Sequence, residues 1–334
     1  MTIKSLKDST THRSDDYASS PVVSTEPSYF ANPVLPGFHP DPCLCRAGDD
    51  YYLVTSTFNW LPGVSLYHSR DLVLWESLGG ILDKLDLRGI PESGGVWAPD
   101  LTHANGEFWL VYSVAKTLSG AFKDVDNYLV RARDIEGPWS EPVLLGAKGF
   151  DPCLVHAQDG CRLVLPQWDW RPLEGHYKFY GLLIYDLDVN TGKTGDPVRI
   201  FDHTGDTPCV CEGPHIMEHD GWFYLLAAEG GTGVNHRTVV ARSRTVDGYY
   251  EPMPGNPLVS AARAVTATWS RGRTALGTPV ISVLAACRGP RPVRSVASPR
   301  SSASSGSTDG RVWRAAATNR VPSYPRRWAS WRER

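Results

Sequence analysis

The sequence lacks any long hydrophobic run. No stretch approaches the roughly 18 consecutive apolar residues of a transmembrane helix, and residues 1–28 contain no apolar segment typical of a signal peptide. Neither sign of charge is in excess, because 34 basic residues face 36 acidic ones and the formal net charge is −2. Such a chain offers no broad basic field to nucleic acid or anionic lipid. We therefore expect a cytoplasmic protein with no nucleic-acid partner and no membrane partner.

Cysteine is also scarce and irregularly placed. The chain has seven cysteines and no paired C-x-x-C spacing, which excludes a disulfide-rich scaffold and a zinc ribbon. Free cysteines are commonly buried, so the sequence predicts small buried hydrophobic side chains rather than metal ligands. This applies to Cys43, Cys45, Cys153, Cys209 and Cys211.

Four related segments, in contrast, are present and indicate the fold. Each has an acid near its start, then a short strand, a turn rich in Gly, Asp or Asn, and an apolar strand, and the segments begin near Asp41, Ala98, Asp151 and Glu212. A repeat of this kind, without any helical period, predicts an all-β propeller with one four-stranded blade per repeat. We place this domain at 29–260, with the innermost strands lining a central channel.

The two ends of the chain differ from the repeats. Residues 1–28 are charged and rich in Ser and Thr, which predicts a disordered leader. Residues 261–334 contain fourteen Arg, no Lys and only two acids, a composition that does not continue the repeat. We expect an aberrant, basic and poorly ordered tail there.

The acids that begin three of the repeats are the candidates for chemistry. Asp41 lies in GFHPDP, Asp151 in GFDP and Glu212 in CEGPH, each beside Pro or Gly residues that restrict the backbone. A single acid of this kind most often caps a turn. Three acids at equivalent positions of the repeats would meet at one mouth of the channel. Glycoside hydrolysis requires a pair of carboxyl groups, which such a meeting would provide.

The segments around these acids resemble glycoside hydrolase family 43, the β-xylosidases and α-L-arabinofuranosidases, from about residue 32 to 260. The resemblance rests on NPVLPGFHPDP, YYLVTSTFNWLPGVSLYHSRDLVLWE, SGGVWAPDL, GFDP, CEGPHI and AEGGTG. It implies a five-bladed propeller and inversion of anomeric configuration. It further implies that Asp41 is the general base, that Glu212 is the general acid, and that Asp151 orients Glu212 and raises its pKa.

Four further residues are candidate substrate contacts. Phe58 and Trp97 match aromatic residues that shape the family's sugar subsite, while Asn127 and His236 are weaker candidates, with a structural role as the alternative for all four. The expected partners are xylo-oligosaccharides or arabinose-substituted xylosides. The sequence does not decide between xylose and arabinose. A retaining, sucrose-cleaving relative, a non-catalytic carbohydrate-binding propeller and an impaired family member stay open as alternatives.

The tail departs from the family pattern. Family members continue with a fifth blade that contains a G-H-x-x-L-V-E string, a His associated with a central calcium ion and a substrate-contacting Arg. None of these is legible after residue 260, so we predict a missing or corrupted fifth blade. The chemistry requires no cofactor, and the family's calcium site is possible although its His is not legible and no metal ligand can be named. A back-translation of 264–277 that is read two bases later yields a string of this type, which indicates a frameshift.

Overall fold

The computed structural model describes residues 33–118, 124–168, 179–204, 209–232 and 235–260, together with the backbone of two strands at 264–273 and 279–287. These ranges contain strands, turns and bends, and no helix. Hence they include no helix that could cross a membrane. The predicted leader at 1–28 lies outside the described residues, as does the part of the predicted tail after 287.

Four antiparallel sheets follow one another along the chain, three of four strands and one of five, and in each of them four strands pair in sequence order. Blade 1 contains β1 (Cys43–Ala47), β2 (Asp50–Thr55), β3 (Gly63–Ser69) and β4 (Glu76–Leu82). Blade 2 contains β5 (Gly95–Ala104), β6 (Glu107–Ala115), β7 (Val125–Ala132) and β8 (Val143–Leu144). Blade 3 contains β9 (Cys153–Ala157), β10 (Gly160–Trp168), β11 (Phe179–Leu187) and β12 (Val198–Phe201). Blade 4 contains β13 (Cys211–His219), β14 (Trp222–Glu229), β15 (Arg237–Ser243) and β16 (Glu251–Pro252), and β17 (Val259–Ser260) also pairs with β15.

In blades 2 and 3 the second strand, β6 or β10, has a continuously buried centre whose two faces pack in different cores, each shared with a neighbouring blade. In β6, Leu110 and Tyr112 pack in a core shared with blade 1, while Trp109 and Val111 pack in a core shared with blade 3. This division follows the two-residue period of a strand, since successive side chains point to opposite faces. A third core joins blades 3 and 4. The hydrophobic effect therefore acts between blades and holds them side by side.

The first strands of the blades are neighbours around the axis. Strand β1 lies beside β5, β5 beside β9, and β9 beside β13. The four sheets thus have the arrangement of a propeller, which confirms the predicted all-β propeller class. Beyond them, β18 (Ala264–Arg273) pairs with β19 (Pro279–Cys287), and β18 lies beside β1, β13 and β14. This two-stranded sheet falls within the segment for which the composition predicts poor order. The number of five blades stays a prediction.

Candidate active site

The same short irregular segment, here called a turn, leads into the first strand of blades 1 and 3 and interrupts the first strand of blades 2 and 4. In each, a residue with positive φ precedes a proline, although L-residues other than Gly seldom adopt positive φ. The φ angles are 49° at Asp41, 24° at Ala98, 49° at Asp151 and 57° at Gly213. The four turns are Asp41-Pro42-Cys43, Ala98-Pro99-Asp100, Asp151-Pro152-Cys153 and Gly213-Pro214-His215. At Asp41, Ala98 and Asp151 this backbone is strained, whereas Gly213 adopts it without strain. Such strain persists only where the surrounding structure enforces it, and it is common at functional sites.

These turns surround one pocket at the axis. Its lining consists of Asp41, Ala98, Pro99, Asp151, Pro152, Gly213, Pro214 and His215. Two of the predicted acids, Asp41 and Asp151, therefore face the same cavity. The third, Glu212, is half-buried on β13 directly before Gly213. The structure thus gathers the segments that carry all three acids, although they are separated by up to 171 positions in the sequence.

Asp41 is held by a hydroxyl group. The Ser56 Oγ donates to Asp41 Oδ2 at 2.6 Å and accepts the backbone N–H of Ala98 at 2.6 Å. In addition, the Ser56 N–H donates to the carbonyl of Pro40 at 3.0 Å. Ser56 is 3% exposed. One buried side chain thus fixes the first acid and connects the turn of blade 1 to that of blade 2.

Asp151 is held against the chain that carries Glu212. Its Oδ2 accepts the backbone N–H of Gly213 at 3.1 Å. The pairing of β13 with β14 is irregular between Glu212 and His215, so the strand departs from regular register where Glu212 lies. The carboxylate of Asp151 therefore contacts the backbone of the residue next to Glu212, as an orienting role requires. The catalytic roles of the three acids stay predictions.

The two predicted aromatic residues lie next to the acid-bearing turns. Phe58 and Val96 exchange two backbone hydrogen bonds of 3.0 Å, which places Phe58 beside the strand that carries Trp97. Gly95 permits this approach, because a Cβ at that position would lie 2.3 Å from the Phe58 carbonyl oxygen. The Trp97 ring meets the ring of Phe150 edge to face at 6.2 Å. Since Phe150 directly precedes Asp151, Trp97 lies near the pocket, and its contact with substrate stays a prediction.

Asn127 is fully buried and bonded to protein groups. Its Oδ1 accepts from the Ser113 hydroxyl at 2.7 Å, and its Nδ2 donates to the carbonyl oxygens of Ala147 and Gly149 at 3.2 and 3.1 Å. The side chain thus fixes the segment that leads to Asp151. These contacts are those of a structural amide, and direct substrate contact by Asn127 stays a prediction that they do not support.

His236 occupies a largely buried position beside the loop that follows β14. It is 6% exposed, and its Nδ1 lies 2.6 Å from the carbonyl oxygen of Gly231. Gly231 belongs to the AEGGTG segment that follows β14. The observed contact therefore fixes that loop, and the proposed contact of His236 with substrate stays a prediction.

A second layer of side chains lies deeper along the axis. It contains the third residue of each turn: Cys43, Asp100, Cys153 and His215. Burial, reinforced by the nearby Asp100, raises the pKa of both the Cys43 and the Cys153 thiol. These cysteines are buried, as are Cys45 and Cys211, which confirms the prediction for four of the five, while Cys209 is half-buried.

Three side chains of this layer lie close enough together to be considered as ligands of a metal ion. One ligand atom from each of Cys43, Asp100 and His215 lies within 4.8 Å of the others. Calcium prefers six to eight oxygen ligands, whereas this set offers one carboxylate, one imidazole and one thiol whose raised pKa favours the protonated form. The set therefore does not fit the calcium ion that the family resemblance implies, and no chemical step is assigned to a metal.

Sequence reasoning missed three residues of this region: Ser56, Asp100 and His215. The signal for Asp100 and His215 was present, because aligning the repeats on their shared proline places both in one layer with Cys43 and Cys153. No comparable signal existed for Ser56, which lies fifteen residues from Asp41 in an ordinary strand end.

The fold and the acids on its axis define the chain as a β-propeller of the glycoside hydrolase class. More particularly, the chain belongs to the glycosyl hydrolases family 43, whose model matches residues 30–279. The match extends past the boundary near 260 that the sequence motifs indicated.

Three relatives illustrate the similarity. The chain is 47% identical over 228 residues to a putative beta-xylosidase of Escherichia coli strain K12, and 48% identical over 228 residues to xylosidase/arabinosidase 43B of Humicola insolens. Both matches cover 67% of this chain and 42% of the relative. The crystal structure of a xylan beta-1,4-xylosidase from Bacillus halodurans C-125 superposes with a TM-score of 0.69 at 41% identity, covering 78% of this chain and 51% of that one. The chain thus spans about half the length of the relatives it matches.

Proposed function

We propose that this chain is a glycosidase that hydrolyses xylosides, a β-1,4-xylosidase that also accepts α-L-arabinofuranosides. The observation that carries the proposal is the pocket on which the turns of Asp41 and Asp151 and the turn that directly follows Glu212 converge. The names of the relatives support the substrate class, since they are a putative beta-xylosidase, a xylosidase/arabinosidase and a xylan beta-1,4-xylosidase. The substrates are xylo-oligosaccharides or arabinose-substituted xylosides.

The reaction is a single displacement that inverts the anomeric centre. Asp41, ionised and fixed by Ser56, takes a proton from the attacking water. Glu212, protonated, delivers a proton to the leaving oxygen. Asp151 contacts the backbone of Gly213, and its negative charge near Glu212 disfavours a second charge there, which keeps the acid protonated near neutral pH.

The propeller of this proposal has five blades. Strand β18 supports it, because β18 lies beside both β13 and β1, at the gap between blade 4 and blade 1. The described part of this fifth element has two paired strands instead of four. For that reason an impaired family member is the alternative proposal, and both are tested on the chain as it exists.

The test measures activity and stereochemistry together. Purified chain is assayed on p-nitrophenyl β-D-xyloside and p-nitrophenyl α-L-arabinofuranoside, with Asp41→Asn as the matched inactive control. We expect hydrolysis of both substrates, complete loss in the control, and the α-anomer of xylose as the first product in proton NMR. Formation of the β-anomer would indicate retention and support the sucrose-cleaving alternative. Absence of hydrolysis by the folded chain would support the impaired member.

A further inference from the structure

Asp100 is a buried carboxylate on the axis of the propeller, one layer below the predicted catalytic acids. It is 4% exposed. Its Oδ1 accepts the thiol of Cys43 at 3.2 Å and lies 3.4 Å from Nδ1 of His215. Its Oδ2 accepts the backbone N–H of Leu154 at 2.7 Å. Each of these groups belongs to a blade other than that of Asp100.

The partners of Asp100 lie on the three chain segments that carry the predicted catalytic acids. Cys43 follows Asp41 by two residues, Leu154 follows Asp151 by three, and His215 follows Glu212 by three. Displacing any of the three segments would therefore stretch a contact to Asp100. In turn, the position of this one carboxylate limits the relative depth of all three acids in the channel.

A buried carboxylate is costly unless its oxygens are paired. Here the pairing comes from blades 1, 3 and 4, so the contacts that compensate the charge also join those blades at the axis. Replacing Asp100 or one of its partners would leave a buried polar group unsatisfied, with the full desolvation penalty of that group. His215 also lines the pocket, so the network reaches the cavity itself.

We propose that Asp100, acting with His215, is a positioning residue that sets the relative placement of Asp41, Asp151 and Glu212. Asp100 itself does not touch the substrate. This inference rests on the proposed function for its effect on catalysis, while its effect on structure is independent of that function.

The first part of the experiment measures catalysis by the full chain carrying Asp100→Asn. An error of about 1 Å in placing catalytic groups costs about 100-fold in rate, so we expect kcat to fall by about that factor while KM changes less than about threefold. A residue needed only for stability would lower the melting temperature and leave kcat per folded molecule unchanged. That result, or a kcat within about threefold of the parent, would overturn the proposal.

Matched controls accompany this variant. Asp50 on β2 contacts His68 on β3 at 2.8 Å, which is a similar carboxylate–imidazole contact but lies within one blade. Asp50→Asn removes this contact and should leave kcat unchanged. His215→Asn should reproduce most of the loss, and the double variant with Asp100→Asn should fall little further, because both act through one network. Should Asp100→Asn fail to fold, Cys43→Ala and Cys43→Ser decide: the serine retains a donor to Asp100 and should restore the kcat that the alanine loses.

The second part measures amide hydrogen exchange and needs no activity. In Asp100→Asn, exchange should become faster in peptides covering 41–45, 151–155 and 211–216 together, and not in those covering 63–69. Faster exchange in one of the three segments alone, or in none, would overturn the proposal. If the parent chain hydrolyses no xyloside and the three segments still respond together, the proposed function fails and the positioning role stands.

Discussion

The hydroxyl of Ser56 lies 2.6 Å from the Oδ2 of Asp41 and simultaneously accepts the N–H of Ala98 at 2.6 Å. Ser56 therefore acts on both sides of the boundary between blades 1 and 2. Its donor hydrogen fixes one orientation of the Asp41 carboxylate, and its oxygen satisfies an amide in a turn with positive φ. The side chain that orients the predicted base is thus itself held by the neighbouring blade.

Replacing Ser56 by Ala should reduce activity and stability together. The change leaves the Ala98 N–H without its acceptor, which costs about 1–3 kcal/mol in unfolding free energy, and removes the hydrogen bond from Ser56 that orients the Asp41 carboxylate. We expect kcat to fall about 10- to 100-fold with little change in KM, measured by steady-state kinetics on a xyloside.

The matched control for this variant is Ser69→Ala. Ser69 is equally buried, at 3% exposed, and its Oγ accepts the backbone N–H groups of Asp71 and Leu72 at 3.2 and 2.9 Å. Its loss should lower stability and leave kcat unchanged. Equal kcat in the two variants would contradict an orienting role for Ser56.

Much of the fold could be predicted from the repeat, because turns and apolar strands recur with a period that each blade shares. The meeting of Asp41 and Asp151 could also be predicted, since both precede Pro in equivalent turns. The contact between Asp100 and His215 was not predicted, since it joins blades 2 and 4 across the axis and depends on depth along the channel. Aligning the repeats on their shared proline places Asp100 and His215 in one layer, but it does not show which side chains of that layer touch.

Replacing Glu212 by Gln should reveal its role through the leaving group. An amide cannot donate the acid proton, so hydrolysis of a natural xylo-oligosaccharide should fall about 10²- to 10⁴-fold. A p-nitrophenyl leaving group needs less protonation, so its rate should fall at least about tenfold less. Glu218→Gln provides the control, because Glu218 is exposed near the other end of β13. Equal losses on both substrates would show that Glu212 is not the acid.

The tail prediction concerns the gene. Residues 261–334 have fourteen Arg and no Lys, and we expect the second reading frame after codon 260 to encode a fifth blade with a G-H-x-x-L-V-E-like string. A chain restored to that frame should have a higher melting temperature and a higher kcat/KM, since four-stranded pairing between blade 4 and blade 1 would leave fewer exposed strand edges. Sequencing the gene decides the matter: a second frame without alternating apolar residues and turns would refute the frameshift.

His156 should make stability depend on pH. Its Nε2 lies 2.8 Å from the Thr102 hydroxyl, joining β9 to β5, and its Nδ1 lies 3.6 Å from the Cys161 sulfur. Burial lowers the pKa of His156 below its usual value of 6.5, although the charge of Asp100 opposes the shift. The unfolded chain therefore binds the proton more readily, so this contribution to stability is present above about pH 6.5 and is lost as the pH falls below it.

Chemical unfolding between about pH 7.5 and 4.5 should show a free energy of unfolding that decreases with falling pH. In His156→Gln this free energy should decrease less steeply with pH. Thr102→Val provides the control, because it removes the hydrogen bond and keeps the titrating ring. It should therefore lower stability at neutral pH and retain the pH dependence that the buried imidazole causes. If the free energy of unfolding of His156→Gln decreases as steeply as that of the parent, the acid sensitivity arises from other groups and the buried neutral imidazole is not its source.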